Sequence, residues 1–262
     1  MSSVTVIIPN YNFSEFLDTT LFSVFSQITN FDVQVLVGDD SSQDQSAGIL
    51  TRFKKFYGQD KFDFFINTEN KGEVETVKRL LSKAKGNYIA YLDGDDYWID
   101  PYKLQKQFDF LESNPEFSAS STGYLTLEGE YGFCPHPEGD LFFGVPEEFR
   151  MDKDFTSPEF ISTGRNCVYA SSRFFRNYED LFQPYFFEFP YSDWPMNYEL
   201  SLRGKINYDD YPSYIYRKHS NSLTHPKEIE KVDETNLKEW LDQKSLIFTR
   251  RKEEFQKNQN KQ

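Results

Sequence analysis

The sequence has little of several features that identify common classes of protein. Only two of its 262 residues are cysteine, Cys134 and Cys167, and they form no C-x-x-C pair. The two thiols could form one bridge, but reduced cysteines in a cytosolic protein are the simpler expectation. Positive charge is also scarce, since 29 lysines and arginines stand against 42 aspartates and glutamates, for a formal net charge of −13. This balance argues against a protein that binds the phosphate backbone of nucleic acid.

Long apolar runs are missing as well. No stretch approaches the ~20 consecutive apolar residues that a transmembrane helix needs. The chain enters a strand pattern at Val4 without a basic leader and a cleavable apolar segment, so we expect no export. Hydrophobic residues still make up 38% of the sequence, with 27 Phe and 17 Tyr, which is enough for a substantial core. We therefore expect a globular cytoplasmic protein.

Two glycine-rich phosphate-binding motifs are absent. No G-x-G-x-x-G follows the first predicted strand, and no G-x-x-x-x-G-K-[ST] occurs in the chain. Neither a dinucleotide-binding turn nor a P-loop can therefore supply a phosphate site. A nucleotide site in this protein would have to rely on carboxylates and a metal ion instead.

The most informative stretch is an apolar run that ends at three carboxylates. Residues 87–92 are short, apolar and aromatic, and Asp93, Asp95 and Asp96 follow directly. The run predicts a buried strand that delivers Asp93 and Asp95 to the edge where open α/β sheets bind ligands. Gly94 between them allows close approach, and clustered oxygen donors suit Mg²⁺ or Mn²⁺ with a phosphate. A solvated acidic turn is the alternative, because short motifs often occur by chance.

Strand-like and helix-like spacing alternate through the first 114 residues. Residues 4–8, 33–37 and 62–66 are β-branched or aromatic and predict strands. Helical spacing predicts three intervening helices, with inner faces made of Phe16, Leu17, Leu21, Val24 and Phe25, of Ile49, Leu50, Phe53 and Phe56, and of Val74, Val77, Leu80, Leu81 and Ala84. The alternation predicts an α/β fold with a mostly parallel, Rossmann-like sheet flanked by helices. Residues 9–12, 39–42 and 93–96 should then meet at one edge.

Capping residues predict where these helices begin and end. Asn12 or Ser14 would cap the first helix and Asp44 the second. Gly86 is expected to stop the third helix. Asp100, followed by proline, should begin a fourth helix that ends before Pro115.

The second part of the chain is less regular. Residues 117–127 predict a strand, whereas 128–155 have no assignable pattern. Asp193 opens a predicted helix that stops at Gly204, where an N-cap role is the alternative to a functional one. Short strands are predicted at 206–208 and 214–217, followed by His219. A lone histidine is more often structural than a metal ligand.

The tail from residue 227 onward differs in charge from the rest of the chain. It contains nine basic and eight acidic residues, a net charge of +1, so the residues before it carry a net charge of −14. An amphipathic helix is indicated by Leu237, Trp240, Leu241, Ile247, Phe248 and Phe255. The helix would dock on the body of the protein by default, or on a second subunit or a membrane surface.

Four segments together resemble a known family. They read VTVIIPNYN at 4–12, GDDSSQD at 38–44, LDGDDYW at 92–98 and YRKH at 216–219. In order and spacing they are similar to the family-two inverting glycosyltransferases of the GT-A fold, including bacterial polysaccharide enzymes. The resemblance covers most of residues 1–225. It implies a nucleotide-sugar-binding half at 1–114, an acceptor-binding half at 115–226 and a helical tail at 227–262.

The resemblance also implies roles for individual residues. Carried over position by position, the expected roles are nucleotide-pocket lining for Pro9, Tyr11 and Asn12, a uracil contact for Asp40, a ribose contact for Asp93, metal binding for Asp95 and His219, and the general base for Asp193. The family often has Arg-Asn where this chain has Val77-Lys78, which leaves Lys78 as the candidate donor contact from that helix. Mn²⁺ or Mg²⁺ is the implied cofactor.

The implied reaction is an inverting transfer from a nucleotide sugar, with UDP expected, to a saccharide or lipid-linked acceptor, giving a β-linkage. The expected setting is the cytoplasm or the inner face of the cell membrane. A non-catalytic nucleotide-sugar or carbohydrate-binding protein is one alternative, and an aspartyl-nucleophile phosphohydrolase is another. A calcium loop starting at Asp93 is excluded, because Trp98 and Leu104 occupy the positions that require glycine and glutamate.

Overall fold

The structure of the protein is a computed structural model that describes residues 3–128, 156–162, 168–219 and 234–260, with the backbone alone over 234–241. Cys134, Cys167 and most of the unassigned stretch at 128–155 lie outside the described residues. The side chains of Leu237, Trp240 and Leu241 lie outside them too.

Strands and helices alternate through the first part of the chain, as predicted. The strands are β1 (Ser3–Asn10), β2 (Asp32–Asp39), β3 (Phe62–Ile66), β4 (Tyr88–Tyr91), β5 (Tyr97–Trp98), β6 (Phe117–Glu128), β7 (Phe174–Arg176) and β8 (Lys205–Lys218). The helices are α1 (Ser14–Phe25), α2 (Ser46–Tyr57), α3 (Glu73–Lys83), α4 (Lys103–Ser113), α5 (Pro158–Ile161), α6 (Asp193–Arg203) and α7 (Glu234–Gln259). Two short 3₁₀ turns lie at Ala170–Ser172 and Pro184–Glu188.

One mixed sheet joins the strands of the described residues in the order β3-β2-β1-β4-β7-β6-β8-β5. Strands β1 to β4 are parallel to one another, which confirms the predicted parallel sheet in the first part of the chain. The second part is mixed, because β7 runs antiparallel to both β4 and β6, and β8 runs parallel to β6. The β4–β7 pairing places both predicted halves in the same sheet. Their division at residue 114 stays a prediction.

The core lies on both faces of the sheet because alternate strand residues point to opposite sides. Val6 and Ile8 of β1 contact α1 and α2 on one face, whereas Ile7 packs with α3 on the other. The prediction that Phe56 lies on the inner face of α2 is wrong. Phe56 is 80% exposed, since Tyr57 takes the inward position and stacks on Phe25 with ring centroids 3.5 Å apart.

Asp44 accepts the first N–H groups of two helices. Its Oδ1 accepts the Ser46 N–H of α2 at 2.9 Å, and its Oδ2 accepts the Ser14 N–H of α1 at 2.7 Å. The N-cap position of α2 is occupied by Gln45, not by Asp44 as predicted. The expected caps of α1 are wrong, because Ser14 is the first helical residue and Asn12 adopts a left-handed backbone with φ of 59°. A side chain on the neighbouring element thus replaces the local cap.

Two other predicted helix boundaries are displaced. Helix α3 ends at Lys83 and its C-cap is Ala84, so Gly86 is not the stop. Gly86 instead allows close approach to β1, since a Cβ there would lie 2.5 Å from the Thr5 nitrogen. Helix α4 begins at Lys103, because Asp100 and Pro101 form a turn in which Asp100 accepts the Tyr102 N–H.

The second part of the sheet contains longer strands than the sequence indicated. The two short strands expected at 206–208 and 214–217 are one strand, β8, which pairs with β6 along its length. A register shift opposite Gly123 interrupts the pairing, and this irregularity accounts for the broken sequence pattern. Helix α6 ends before Gly204 as predicted, but Ser192, not Asp193, occupies its N-cap position.

The C-terminal helix α7 docks on the body, as the default interpretation predicted. Phe248 is fully buried among aromatic side chains, and its carbonyl oxygen accepts the Tyr198 hydroxyl of α6 at 2.7 Å. Arg251 donates to the fully buried Glu199 of α6 at 2.6 Å. Within the described residues, no helix combines the length and apolarity that crossing a bilayer requires.

Candidate active site

The three predicted strand ends meet at the carboxyl edge of the parallel strands. The Gly94 N–H donates to the Pro9 carbonyl at 3.1 Å, and the Asn10 side chain donates to Asp39 at 2.7 Å. A Cβ on Gly94 would lie 2.9 Å from Asn10 Oδ1, so glycine permits this approach. The backbone ladder therefore brings the acidic strand end beside the loops after β1 and β2.

A cleft of about 280 Å³ opens at this edge. Among the predicted nucleotide-binding residues, Pro9, Tyr11, Asp40 and Asp93 line it. Tyr11 is 40% exposed, which leaves its ring accessible to a ligand. Pockets of this kind, with apolar walls and a few fixed polar groups, are typical of small-molecule sites.

Asp40 is held by protein donors at the back of the cleft. Its Oδ1 accepts from Asn67 at 2.7 Å and from the Lys71 N–H at 2.9 Å, and its Oδ2 accepts the Gly72 N–H at 2.8 Å. Each carboxylate oxygen can accept two hydrogen bonds. Oδ2 therefore retains one acceptor position for a ligand.

Two predicted nucleotide contacts do not line the cleft. Asn12 holds the loop after β2, since its Oδ1 accepts the Gln43 N–H at 2.8 Å. Lys78 lies on the outer side of α3, with its Nζ 3.3 Å from Glu75 and 5.1 Å from the centre of the Phe187 ring. The Val77 side chain before it is fully buried in the core.

A serine from the 3₁₀ turn at Ala170–Ser172 organises the acidic strand end. The Ser171 hydroxyl lies 2.6 Å from Asp96 Oδ2 and 3.1 Å from Asp93 Oδ2. Asp96 Oδ1 accepts the Arg217 N–H at 3.0 Å. Burial, followed by the neighbouring charge of Asp95, raises the pKa of both Asp93 and Asp96 well above the usual range. The strand end is thus rich in negative charge that is costly to bury.

The two predicted metal ligands lie side by side. His219 Nε2 is 3.0 Å from Asp95 Oδ2, and the two side chains are 14% and 13% exposed. Phe13 and Phe16 contact the imidazole ring and fix its orientation. Among the described residues, no three or more His, Cys, Asp or Glu side chains are grouped to hold a metal. One carboxylate and one imidazole still fit Mg²⁺ or Mn²⁺, because such ions often complete their coordination with phosphate oxygens and water.

The predicted base, Asp193, lies at the first position of α6. Its Oδ1 accepts from Arg173 Nη2 at 2.8 Å, and its side chain is 33% exposed. Arg173 itself is fully buried and also contacts Met196 Sδ at 2.8 Å. Asp193 is close enough to contribute, after burial and the nearer carboxylates, to the raised pKa of Asp93.

Sequence reasoning missed three residues of this site. Ser171 and Arg173 come from a stretch without a clear periodic pattern, so no signal selected them. Glu73 lines the cleft and is hydrogen-bonded to Ser192 of α6. Burial, and then the charge of Asp193, raises the pKa of Glu73 to about 7. An acidic residue in the first turn of a helix is common, so the position of Glu73 in the sequence does not by itself indicate a functional role.

Comparison with known proteins identifies a family and relatives. The model of glycosyl transferase family 2 matches residues 5–174 of this chain. An uncharacterized protein of Mycobacterium tuberculosis is 27% identical over 233 residues, covering 85% of this chain and 60% of that protein. The UDP-Glc:alpha-D-GlcNAc-diphosphoundecaprenol beta-1,3-glucosyltransferase WfaP of Escherichia coli is 33% identical over 125 residues, covering 48% of this chain and 47% of that protein. The chain thus spans less than two thirds of the length of these relatives.

Solved structures show the same fold. S. aureus TarS 1-349 in complex with UDP-GlcNAc matches with a TM-score of 0.59 at 18% identity, over 94% of this chain and 71% of that chain. Mannosyltransferase PcManGT from Pyrobaculum calidifontis, in complex with GDP-Man and Mn²⁺, matches with a TM-score of 0.55 at 15% identity, over 92% and 68% of the two chains. The predicted GT-A type fold is confirmed by this similarity.

Proposed function

Because the chain belongs to glycosyl transferase family 2, we propose that it is an inverting glycosyltransferase that uses a nucleoside diphosphate sugar, with UDP as the nucleotide. The observation that carries the proposal is the arrangement around the cleft. Asp93 lines it, the Asp95–His219 pair lies at the same strand end, and Asp193 faces this acidic group from α6. The UDP-glucose donor in the name of the E. coli relative and the UDP-GlcNAc bound to S. aureus TarS support UDP, whereas the more distant Pyrobaculum protein binds GDP-Man.

The donor would occupy the cleft with its nucleotide between Tyr11 and Asp40. The open acceptor position on Asp40 Oδ2 suits the N–H of a uracil ring, and Asp93 suits the ribose hydroxyls. Asn12 would act indirectly, by holding the loop after β2. These assignments require the base to lie near Asp40 and the diphosphate near Asp95.

A divalent metal is part of the proposal. Asp95 and His219 would hold Mn²⁺ or Mg²⁺, and the ion would neutralise the negative charge that develops on the leaving diphosphate. The described site supports a cation on grounds of charge. Five carboxyl groups interact with one another there: Glu73, Asp93, Asp95, Asp96 and Asp193. Two guanidinium groups offset part of this charge, because Arg173 pairs with Asp193 and Arg217 interacts with Asp95 and Asp96. The Mn²⁺ in the Pyrobaculum complex is consistent with this proposal.

Asp193 would act as the general base. Arg173 holds Oδ1, which leaves Oδ2 to accept the proton of the acceptor hydroxyl. The acceptor oxygen forms a bond to the anomeric carbon as the bond to the diphosphate oxygen breaks. Attack from the face opposite the diphosphate inverts the configuration, so an α-linked donor gives a β-linked product.

The acceptor is proposed to be a saccharide or a lipid-linked saccharide, by analogy with the diphosphoundecaprenol acceptor named for the E. coli relative. Such an acceptor would be met in the cytoplasm, at the inner face of the membrane, which is the proposed setting of the enzyme. The outer side of α7, where Leu246 is 51% exposed, would provide the membrane or homodimer contact. Docking of Phe248 leaves that side accessible.

The proposed function is tested with a panel of UDP-sugars, with and without Mn²⁺. A bound donor at ~100 times its dissociation constant should add roughly 2.7 kcal/mol of stability. Asp95→Ala should abolish the Mn²⁺-dependent part of that gain. Asp193→Asn should lower the transfer rate by ~10²–10⁴-fold while donor affinity is retained, since Asn still accepts from Arg173 but cannot take a proton.

Several results would contradict the proposal. Normal transfer by Asp193→Asn would eliminate the base assignment. Normal Mn²⁺-dependent donor binding by Asp95→Ala would eliminate the metal assignment. Tight donor binding by the wild-type protein without transfer or donor hydrolysis would indicate a binding protein instead of an enzyme.

A further inference from the structure

Glu73 has no role in the proposed mechanism, yet its carboxyl group accepts three hydrogen bonds, as many as that of Asp40 in the same cleft. Glu73 accepts the Tyr91 hydroxyl at 2.9 Å, the Ser192 N–H at 2.8 Å and the Ser192 hydroxyl at 2.5 Å. All three donors lie outside its own helix α3. The Ser192 contacts join positions 119 residues apart in the sequence.

Ser192 is the N-cap residue of α6 and directly precedes Asp193. An N-cap serine normally accepts a hydrogen bond from an N–H of its own helix. The Ser192 side chain makes no such bond and donates to Glu73 instead. The start of α6 is therefore tied to α3, across the cleft wall, by two hydrogen bonds to a single carboxyl group.

Tyr91 connects this tie to the acidic strand end. Its hydroxyl donates to Glu73, and its ring lies 5.4 Å from the Arg173 guanidinium that holds Asp193. Tyr91 is almost fully buried at the end of β4, two residues before Asp93. Glu73 and Arg173 both hold the start of α6, and both contact Tyr91 of β4, the strand that precedes Asp93.

We propose that Glu73 is a positioning residue, which sets the start of α6 and with it Asp193 relative to the end of β4. The inference rests on the proposed function of Asp193 as the base. Hydrogen bonds from Tyr91 and Ser192 occupy three of the four acceptor positions on the Glu73 carboxylate, so we assign this group to positioning and Asp193 to proton transfer. The effect of Glu73 on transfer is through the placement of the base.

A neutral side chain of the same shape can make these hydrogen bonds. In Glu73→Gln, the amide oxygen can accept the Ser192 N–H and the amide NH₂ can donate to the two hydroxyl oxygens. Glu73→Ala removes all three bonds. Comparing the two variants therefore distinguishes the effect of the position of α6 on transfer from the effect of the charge of Glu73.

The experiment measures donor affinity, kcat, KM and the pH profile of kcat for Glu73→Ala, Glu73→Gln, Asp193→Asn and wild type. We expect Glu73→Ala to lower kcat by roughly 10²-fold, since a displacement of ~1 Å can cost that much, with little change in UDP affinity. Glu73→Gln should restore kcat to within about 3-fold of wild type. Glu75→Ala is the matched control, because Glu75 lies on the same helix and contacts Lys78 instead of Ser192.

The possible failures are distinguishable. Normal kcat in Glu73→Ala, with Asp193→Asn inactive, would overturn the inference alone. Equal losses in Glu73→Gln and Glu73→Ala would also overturn it, because charge would then matter more than position. Normal transfer by Asp193→Asn would instead overturn the proposed base. If Glu73→Ala does not fold, Ser192→Ala decides: it keeps one of the two Ser192 bonds and should show a smaller loss of kcat, and a wild-type kcat would contradict the inference.

Discussion

The site residues from the first 114 residues and those from 168–219 are positioned by different kinds of contact. Asp40 and Asp93 follow strands β2 and β4, which pair in register with β1 on either side. Asp193 depends on side chains, namely Arg173 at its carboxylate and Glu73 at the preceding Ser192. His219 likewise lies between the rings of two phenylalanines and Asp95.

This difference determines which part of the site is sensitive to single substitutions. A strand end is held by a ladder of backbone hydrogen bonds, which substitutions other than proline leave in place. The start of α6 is held by a few side-chain contacts, each of which one substitution can delete. We therefore expect the proposed donor site to be robust, and the position of the proposed base to depend on distant residues.

The largest effect is expected from the tail that supports α6. Phe248→Ala should lower the free energy of unfolding by about 3–5 kcal/mol, because the ring is fully buried against α6 and its neighbours. Phe56→Ala is the matched control in the first part of the chain, where the ring is 80% exposed, and should change stability by less than about 0.5 kcal/mol. Urea denaturation measures both. Equal losses would contradict the contrast in burial.

A second prediction uses pH to test the contact between the two parts. Burial, and then the charge of Asp193, raises the pKa of Glu73 from its usual 4.5 to about 7, so the folded state binds the proton more tightly than the unfolded state. Stability from this group is therefore complete below pH 4.5 and declines as pH rises to about 7, by up to about 3 kcal/mol. Glu73→Gln has no charge to bury. The stability difference between wild type and this variant, from urea titrations, should change over that window and be constant above it.

A constant difference across pH 4.5–7 would show that the carboxyl group titrates normally. It would weaken the view that burial dominates its environment, but it would leave the hydrogen bonds to Ser192 unaffected. This prediction therefore tests the electrostatics of the contact separately from its geometry.

The smallest effect is expected at Lys78, which family resemblance suggested as a donor contact. Its Nζ lies beside Glu75 and Phe187, away from the residues that line the cleft. Lys78→Ala should therefore change UDP affinity by less than about twofold, corresponding to about 0.4 kcal/mol. Isothermal titration with UDP and Mn²⁺ measures it. A tenfold loss of UDP affinity would show that Lys78 contacts the nucleotide after all.

The first part of the fold was predictable because each of its elements has its own periodic pattern. Strands β1 to β4 and helices α1 to α3 were identified, and so was the edge where Asp40 and Asp93 meet. The errors there concern single positions. Phe56 was expected to face the core, but the neighbouring Tyr57 packs on Phe25 there instead. Asp44 precedes α2 but accepts the first N–H of α1. This contact joins two elements, so no local pattern in the sequence predicts it.

The second part was predictable only in pieces. Strand β6 and the end of α6 at Gly204 were identified from local signals, but the register shift in β8 made one strand look like two. Resemblance to a family selected Asp193 and His219, and the structure brings His219 to Asp95. It selected none of the side chains that hold Asp193.

By itself, the sequence determined the alternation of strands and helices and the carboxylates at the ends of β2 and β4, because spacing and strand endings are local properties of the chain. Only the tertiary structure decided which side chains hold Asp193, with Arg173 separated from it by 20 residues and Glu73 separated from Ser192 by 119. Contacts over such distances depend on how whole elements pack. No local pattern in the sequence records that packing.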